Sequence, residues 1–365
     1  MIEPTTPTPA PTPATPSRLK TRRWVVLLAL LLIVPTLLGE ATVRALIATH
    51  RLAPAAAHFS TLEISWADLD RTGAVDVLIM GESTTHSGID PALLAELASK
   101  AIGQPVRAFN LGIPGLAGEP SLLEQLGREG RLPELVILGV SGVGLRDRGE
   151  GESAYLRSPM GLLFSRCQGD VVEGYEATVD CQAGLVSALW RWRGRPDRIA
   201  RAMLRPLKAS KRWGSARRDD GFSEGKPRPV EKIAAQVAAG LDRLDQTIEV
   251  GPLTAERYRR IRGYLEAHGV AVMGVSIPYA PLFMEGLEER MPGFNASWQD
   301  AIGRLSAGSG IPFVDPVAFG PWWGDGSNKN LKHLSREGAI DFTNQLWDTP
   351  AFRQQVLAGL ASTTP

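Results

Sequence analysis

Short apolar runs that alternate with amphipathic stretches constrain the fold of this chain most. Five runs are predicted strands, at residues 75–80, 106–111, 135–140, 270–277 and, more weakly, 312–315. Helical periodicity marks residues 91–101, which Asp90 would cap, and residues 121–129, 255–268, 296–305 and 337–346. Continuous apolar strands that alternate with helices indicate a parallel sheet covered on both faces. We therefore predict a three-layer, doubly wound α/β domain.

The N-terminal region consists of unlike pieces. Residues 1–17 hold six prolines and five threonines, a composition that predicts a disordered tail. A basic cluster at residues 18–23 precedes sixteen uncharged, mostly apolar residues, 24–39. As a helix these sixteen would span about 24 Å, and the largely apolar residues 41–48 make up the difference from the ~30 Å of a bilayer core. Glu40 and Arg44 can pair on one face of that helix.

This apolar segment has two interpretations. A cleaved signal peptide would use the weak site at Ala55-Ala56-Ala57, whereas a signal anchor would keep its helix. The long region before the apolar run favours an anchor, and the basic flank places the N-terminus in the cytoplasm. We therefore predict a single-pass protein of the inner or cytoplasmic membrane. It has a tail (1–17), an anchor (18–50) and an extracytoplasmic domain (51–365) with a mainly helical, basic insertion (146–254).

Cysteine and histidine counts limit the metal chemistry. Two cysteines and five histidines in 365 residues argue against a disulfide scaffold or a Cys-rich zinc module, and we predict no metal and no cofactor. Cys167 and Cys181 lie fourteen residues apart in the predicted extracytoplasmic region. They can form a disulfide there, or remain two buried thiols.

The net charge of +1 conceals a strongly basic stretch. Residues 191–218 hold eleven Lys or Arg against Asp197 alone, while the rest of the chain has 29 basic against 38 acidic residues. Trp190, Trp192 and Arg193 lie at its start. One interpretation is a solvated helical face; the other is a basic lid that binds an anionic or glycan ligand. In such a lid the tryptophans can stack on sugar faces or lie at a membrane interface, and the arginines can pair with phosphate or carboxylate. Nucleic acid does not fit the predicted location outside the membrane.

Residues at the strand ends carry the candidate chemistry, because ligands of parallel sheets bind beyond the carboxyl ends of the strands. Ser83 follows the first strand and precedes a helix, where a serine hydroxyl can be exposed at the sheet edge. A serine nucleophile needs a base. By position the best base is His333, in the loop before the C-terminal helix, rather than His86 or His268.

Four blocks occur in an order that resembles the SGNH (GDSL-type) hydrolase superfamily. They are Gly81-Glu82-Ser83, Asn110-Leu111-Gly112, Gly139-Val140-Ser141 and Asn330-x-x-His333-Leu334-Ser335. With the predicted anchor, the chain is similar to the membrane-anchored branch, such as the DltD-like and alginate O-acetylation proteins. The resemblance implies a flavodoxin-like SGNH sheet, Ser83 as nucleophile and His333 as general base. It also implies oxyanion donors at the amides of Ser83 and Gly112 and at residue 141.

Two departures from the family pattern leave the mechanism open. Asn330 replaces the acidic residue three before the histidine, and Ser141-Gly142 replaces an Asn-Asp pair. Asn330 can orient the imidazole of a Ser–His dyad, Asp325 or Asp315 can take the acid's role, or the site can be degenerate. The resemblance implies an extracytoplasmic acyltransferase or esterase that acts on a cell-surface glycan or polymer, with a membrane acyl exporter as a partner. The alternative is an inactive protein that binds or helps assemble a surface polysaccharide.

Overall fold

The computed structural model describes residues 18–48, 60–112, 119–145, 183, 186–192, 196–204, 218–241, 248–315 and 328–361. Its centre is a sheet of five parallel strands in the order β2-β1-β3-β4-β5. The strands are β1 (Val77–Gly81), β2 (Ala108–Gly112), β3 (Leu135–Val140), β4 (Ala271–Ser276) and β5 (Phe313–Val314). Each predicted run overlaps one of these strands, with β1 and β2 extending one residue further, so the prediction of a parallel α/β sheet is confirmed.

Helices connect the strands and continue at both ends of the sheet. The N-terminal part has α1 (Arg18–Ala48), α2 (Ser60–Thr72), α3 (Ser83–His86), α4 (Pro91–Ile102), α5 (Glu119–Arg128) and a 3₁₀ turn at Gly142–Leu145. The predicted insertion contributes α6 (Ala188–Trp192), α7 (Pro196–Leu204) and α8 (Val230–Leu241). The C-terminal part has α9 (Pro252–Ala267), α10 (Pro281–Arg290), α11 (Phe294–Ser309), α12 (Arg336–Asp348) and α13 (Pro350–Ala361).

Both faces of the sheet are covered, as continuous apolar strands require. Alternate residues of β1 point to opposite faces, so Val77 and Ile79 belong to one buried cluster while Leu78 and Met80 belong to another. The first cluster includes residues of α4, α12 and α13. The second includes residues of α2, α5, α8, α9, α10 and α11. The result is three layers around a sheet that is buried on both sides.

The five predicted helices are present with shifted ends. Asp90 caps α4 as predicted: its side chain accepts hydrogen bonds from the backbone N–H groups of Ala92 at 3.0 Å and Leu93 at 3.2 Å. Helices α2, α10 and α13 were not predicted. The last two begin at prolines, Pro281 and Pro350, and proline is favourable in the first turn because that position needs no N–H donor.

Helix α1 is long and apolar enough to cross a membrane, over residues Val26–Leu46. Its large apolar side chains between residues 26 and 38 are 44–70% exposed, so the protein core does not bury them. The predicted pair is present, with Arg44 Nε 2.5 Å from Glu40 Oε1. The Pro/Thr-rich tail, residues 55–57, Cys167 and Cys181 lie outside the described residues.

Candidate active site

Three glycines make room for the short helix that carries Ser83. Gly81 and Gly112 end β1 and β2, Gly139 is the last residue but one of β3, and the three lie in register across the sheet. A Cβ at Gly139 would lie 2.2 Å from Thr85 Oγ1, and one at Gly112 would lie 2.5 Å from the backbone N of His86. Helix α3 therefore crosses the strand ends at a distance that only glycine permits.

Ser83 and His333 meet at this edge although 250 residues separate them in the chain. Ser83 is the first residue of α3, and its Oγ lies 2.9 Å from Nε2 of His333. His333 lies in the loop that leads to α12, where Ser335 caps the helix by accepting from the N–H of Gly338. The structure thus places the predicted nucleophile and the predicted base within hydrogen-bond distance.

Asn330 holds the other side of the imidazole. Its Oδ1 lies 2.9 Å from Nδ1 of His333 and also accepts the backbone N–H groups of Lys332 at 2.9 Å and His333 at 3.1 Å. Two backbone donors identify this atom as the amide oxygen, so Nδ1 must carry the proton and donate it. Nε2 of His333 is then the acceptor for the Ser83 hydroxyl. This is the tautomer that a general base needs.

The surroundings keep His333 neutral at neutral pH. Burial, followed by the positive charges of Lys329 and Lys332, lowers the pKa of His333 to about 4. Among the described residues, no carboxylate is hydrogen-bonded to the ring; Asp325 lies outside them, and the ring nitrogens bond to Asn330 and Ser83. The described geometry therefore does not bring Asp315 to the imidazole, although it lies directly after β5.

The predicted side-chain oxyanion donor at residue 141 is engaged elsewhere. The Ser141 hydroxyl donates to Glu82 Oε1 at 3.0 Å and accepts from the hydroxyl of Tyr279 at 3.3 Å. A serine has one hydroxyl hydrogen, so Ser141 cannot donate to an oxyanion while it bonds to Glu82. Glu82 and Tyr279 were not predicted as site residues, although one lies within the Gly81–Ser83 block and the other follows β4 closely.

The backbone N–H of Gly112, the other predicted oxyanion donor, is also hydrogen-bonded within the protein. It donates to Asn110 Oδ1 at 2.9 Å, while Asn110 Nδ2 donates to the carbonyls of Thr85 and Ile89. Asn110 is fully buried, so it acts as a clamp between β2 and the segment that carries Ser83. The prediction of a free oxyanion donor at Gly112 is therefore not met in this conformation.

A segment in the later part of the predicted insertion contacts both halves of the site. In this bridging segment, residues 218–228, the carbonyl of Asp220 accepts the N–H of Asn110, and the N–H of Ser223 donates to the carbonyl of His86. At its other end, the N–H of Arg228 bonds to the carbonyl of Asn328, and the carbonyl of Gly225 accepts from Arg336. The bridging segment therefore links the helix of Ser83 to the loop of His333.

A buried ion pair anchors the bridging segment. Arg218 makes two bonds to Asp90, at 2.6 and 2.9 Å, and also bonds to Asp220. The Asp90 side chain is 4% exposed. Because Asp90 also caps α4, the bridging segment is fixed to the same point that starts this helix.

Of the predicted ligand-binding side chains of the basic stretch, Trp192 is packed against α1. Trp192 is 1% exposed and packs with Val43 and Leu46 of α1, so its ring has no free face for a sugar, and the prediction for it is wrong. Trp190 is exposed on the same short helix, and Arg193 lies outside the described residues. Among the described residues no group of three His, Cys, Asp or Glu side chains is arranged to hold a metal ion.

Comparison with known proteins does not assign the chain to a family. No protein-family model matches the sequence, and no curated protein matches it significantly.

Proposed function

We propose that this protein is a membrane-anchored, SGNH-like serine esterase or O-acyltransferase that acts on ester groups of a cell-surface glycan or polymer. The observation that carries the proposal is the chain of contacts Ser83–His333–Asn330, with 2.9 Å at each step. A hydroxyl, an imidazole and an amide oxygen in line form the constellation of nucleophile, base and orienting group that acyl transfer requires.

The fold supports the same proposal. The strand order β2-β1-β3-β4-β5 is the flavodoxin-like order of doubly wound sheets. The four sequence blocks that resemble the SGNH superfamily all lie at the carboxyl ends of strands or in the loop before α12. Ligands of such sheets bind at that edge, because the loops there surround an open crevice.

The reaction follows from the hydrogen bonds. Ser83 Oγ attacks the acyl carbonyl carbon of the donor ester while its proton passes to Nε2 of His333. The tetrahedral intermediate collapses, the C–O bond to the leaving alcohol breaks, and His333 returns the proton to that alcohol. In the second half, His333 takes a proton from a sugar hydroxyl or from water, whose oxygen attacks the carbonyl carbon of the acyl-Ser83 ester. The bond from that carbon to Ser83 Oγ then breaks, and His333 returns the proton to Oγ, which restores the free serine and the neutral imidazole.

In this mechanism Asn330 orients the imidazole of His333 but brings no negative charge to it. Its amide oxygen fixes the Nδ1–H tautomer but cannot stabilise the imidazolium as a carboxylate would. Because the imidazolium that forms during the reaction has no carboxylate beside it, we expect slower turnover than a Ser–His–Asp triad gives.

The charge around the base favours an anionic substrate. Lys329 and Lys332 flank His333, and both lower its pKa by their positive charge. Lys329 is partly buried and Lys332 lies with Nζ 5.7 Å from the ring centre of Tyr279, so both side chains are held near the site. Anionic polymers offer carboxylate or phosphate groups that lysines bind.

The test is labelling of the full-length protein with a fluorophosphonate probe. We expect covalent labelling of the wild type, none of Ser83→Ala, and labelling of His333→Ala slower by a factor of ~10²–10⁴. Melting temperature monitors the fold of each variant. A folded wild type that takes up no label, or equal labelling of Ser83→Ala, would contradict the proposal.

A different observation supports a second candidate function, which is non-catalytic. The hydroxyl of Ser141 and the amide of Gly112 both bond within the protein, which leaves the amide of Ser83 as the predicted oxyanion donor that has no such bond among the described contacts. A protein of this kind would bind or help assemble a surface polysaccharide without turnover. Glycan binding that Ser83→Ala leaves unchanged, together with no esterase activity, would favour this alternative.

The proposal includes a location. Helix α1, whose first turns carry the basic cluster at residues 18–23, would act as a signal anchor with the N-terminus in the cytoplasm and the catalytic domain outside. A transferase there needs an acyl donor on the outer side, and a membrane acyl exporter would supply it. Protease accessibility of the α/β domain in intact cells and in spheroplasts tests the orientation.

A further inference from the structure

Exposed large apolar side chains occur in two neighbouring places among the described residues. One set lies on α1, between residues 26 and 38. The other lies on or beside the short helices α6 and α7 of the insertion: Val186, Trp190, Met203 and Leu204, which are 74%, 38%, 55% and 84% exposed. The α/β body described in the structure has no such side chain. The location of the second set therefore needs an explanation.

Helices α6 and α7 pack on the end of α1 that adjoins its uncharged run. Trp192, Ala188 and Ala202 form a small buried cluster with Val43 and Leu46 of α1. This cluster is separate from the two clusters that cover the sheet. The two short helices thus form one unit with α1.

Polar contacts fix the level at which this unit meets α1. Glu40 accepts the backbone N–H groups of Ala188 at 2.9 Å and Leu189 at 2.8 Å, and the hydroxyl of Ser187 at 2.8 Å. Arg44 donates to the carbonyl of Val186 at 2.7 Å. Glu40 is the first charged residue after the uncharged run 24–39. Helix α6 therefore contacts α1 in the last two turns of the candidate span Val26–Leu46, the end of α1 that would lie near the surface of a bilayer.

We propose that α6, α7 and Val186 form a membrane-surface element that rests on the lipid bilayer crossed by α1. The apolar side chains of Val186, Trp190, Met203 and Leu204 would lie at the boundary between headgroups and acyl chains. Tryptophan favours this depth because its ring is amphipathic, and apolar area buried there leaves water.

Charge complements the apolar contact. Residues 191–218 carry eleven basic residues against one acidic residue, and anionic headgroups attract such a segment. The element begins just beyond the uncharged run of α1, so the surface that it offers is continuous with the lipid-facing surface of that helix. This placement gives the start of the basic stretch a role in membrane contact, in place of the predicted lid over the substrate.

The experiment uses full-length protein in nanodiscs that contain anionic lipid. Leu204→Cys is labelled with an environment-sensitive fluorophore. Leu30→Cys on α1 serves as the control for lipid contact, and Lys100→Cys, whose native side chain is 70% exposed on α4, as the control for water contact. Unsubstituted protein, treated in parallel, measures any labelling of Cys167 and Cys181.

We expect the label at residue 204 to show blue-shifted emission, quenching by lipid-borne nitroxide and several-fold lower iodide quenching than the label at residue 100. A native probe avoids any effect of the label: brominated lipids should quench tryptophan emission less in Trp190→Phe than in the wild type. Emission and iodide quenching at 204 equal to those at 100 would overturn the proposal. Shielding at 204 that requires an added membrane protein would also overturn it, in favour of a protein partner.

Discussion

The amide oxygen of Asn330 accepts the Nδ1–H of His333 at 2.9 Å while two backbone N–H groups of the same loop hold that oxygen in place. The side chain therefore has no freedom to present its NH₂ group to the ring. An uncharged residue sets the tautomer of the imidazole, and the opposite nitrogen of His333 is left to accept from Ser83 at 2.9 Å.

Substitutions at Asn330 separate orientation from charge. Asn330→Ala removes the acceptor for Nδ1–H, so we expect fluorophosphonate labelling to fall by a factor of ~10²–10⁴. Asn330→Asp keeps the oxygen and adds a negative charge that stabilises the imidazolium, so labelling should be faster than in the wild type. Labelling rates of the three proteins at one pH check this. Slower labelling of Asn330→Asp than of the wild type would contradict the orienting role.

The pH profile follows from the low pKa of His333. The base works in its neutral form, and the pKa of His333 is lowered to about 4, chiefly by burial. Labelling should therefore be constant above about pH 5 and fall as the pH drops through about 4. Asn330→Asp should move this fall to higher pH, because a carboxylate raises the pKa of a neighbouring imidazole. A wild-type midpoint near the ordinary histidine value of 6.5 would refute the prediction.

Stability should depend on pH through the same residue. Between the unfolded pKa of 6.5 and the folded pKa of about 4, the unfolded chain binds a proton at position 333 that the folded chain does not. The free energy of unfolding therefore decreases as the pH falls through this window, by about 3 kcal/mol at most from this residue. Denaturant unfolding at several pH values checks this. His333→Gln, which does not titrate there, should show the smaller dependence; equal slopes in both proteins would argue against it.

Gly139 should tolerate no side chain. A Cβ there would lie 2.2 Å from Thr85 Oγ1 and 2.5 Å from Thr85 Cγ2, so Gly139→Ala must displace α3 or the strand. We expect a loss of about 1–3 kcal/mol in the free energy of unfolding and slower labelling of Ser83.

Gly263 offers a matched control for that substitution. It lies inside α9, and no atom outside the helix backbone would come within 4 Å of a methyl group added there, so Gly263→Ala should be neutral or stabilise by about 0.5–1 kcal/mol. The double variant Gly139→Ala/Thr85→Ala should recover part of the loss, because it removes the two closest atoms. Equal stability of Gly139→Ala and Gly263→Ala would disprove the close approach.

The ion pair of Arg218 should stabilise the site from a distance. Arg218→Ala leaves the Asp90 carboxylate buried without its cation, which we expect to cost about 3 kcal/mol of stability. Arg201→Ala, which removes an exposed pair with Asp197, should cost under about 0.5 kcal/mol and serves as the control. Adding Asp90→Asn to Arg218→Ala should restore part of the stability, since the amide still caps α4. Urea unfolding measures all four proteins, and equal losses for Arg218→Ala and Arg201→Ala would count against the prediction.

The sequence by itself determined the local features of this protein. Apolar runs bounded by glycine specify most of the strands, the uncharged run 24–39 specifies the helix that can cross a membrane, and Asp90 specifies the start of α4. Ser83 and His333 were also found from the sequence, because each lies in a block whose residue types suit its chemistry. These features depend on residues close together in the chain, so their pattern is visible in one dimension.

Only the tertiary structure decided which groups meet across long separations. In the folded protein the Ser141 hydroxyl is hydrogen-bonded to Glu82 and Tyr279, and the amide of Gly112 to Asn110. The ring of Trp192 is buried against α1. The tertiary structure also joined the helix of Ser83 to the loop of His333 through residues 218–228. A hydrogen atom or a ring face can serve one partner at a time, and packing between distant segments selects that partner. Residue type states what a side chain is able to do, and its neighbours in space decide which of those interactions it makes.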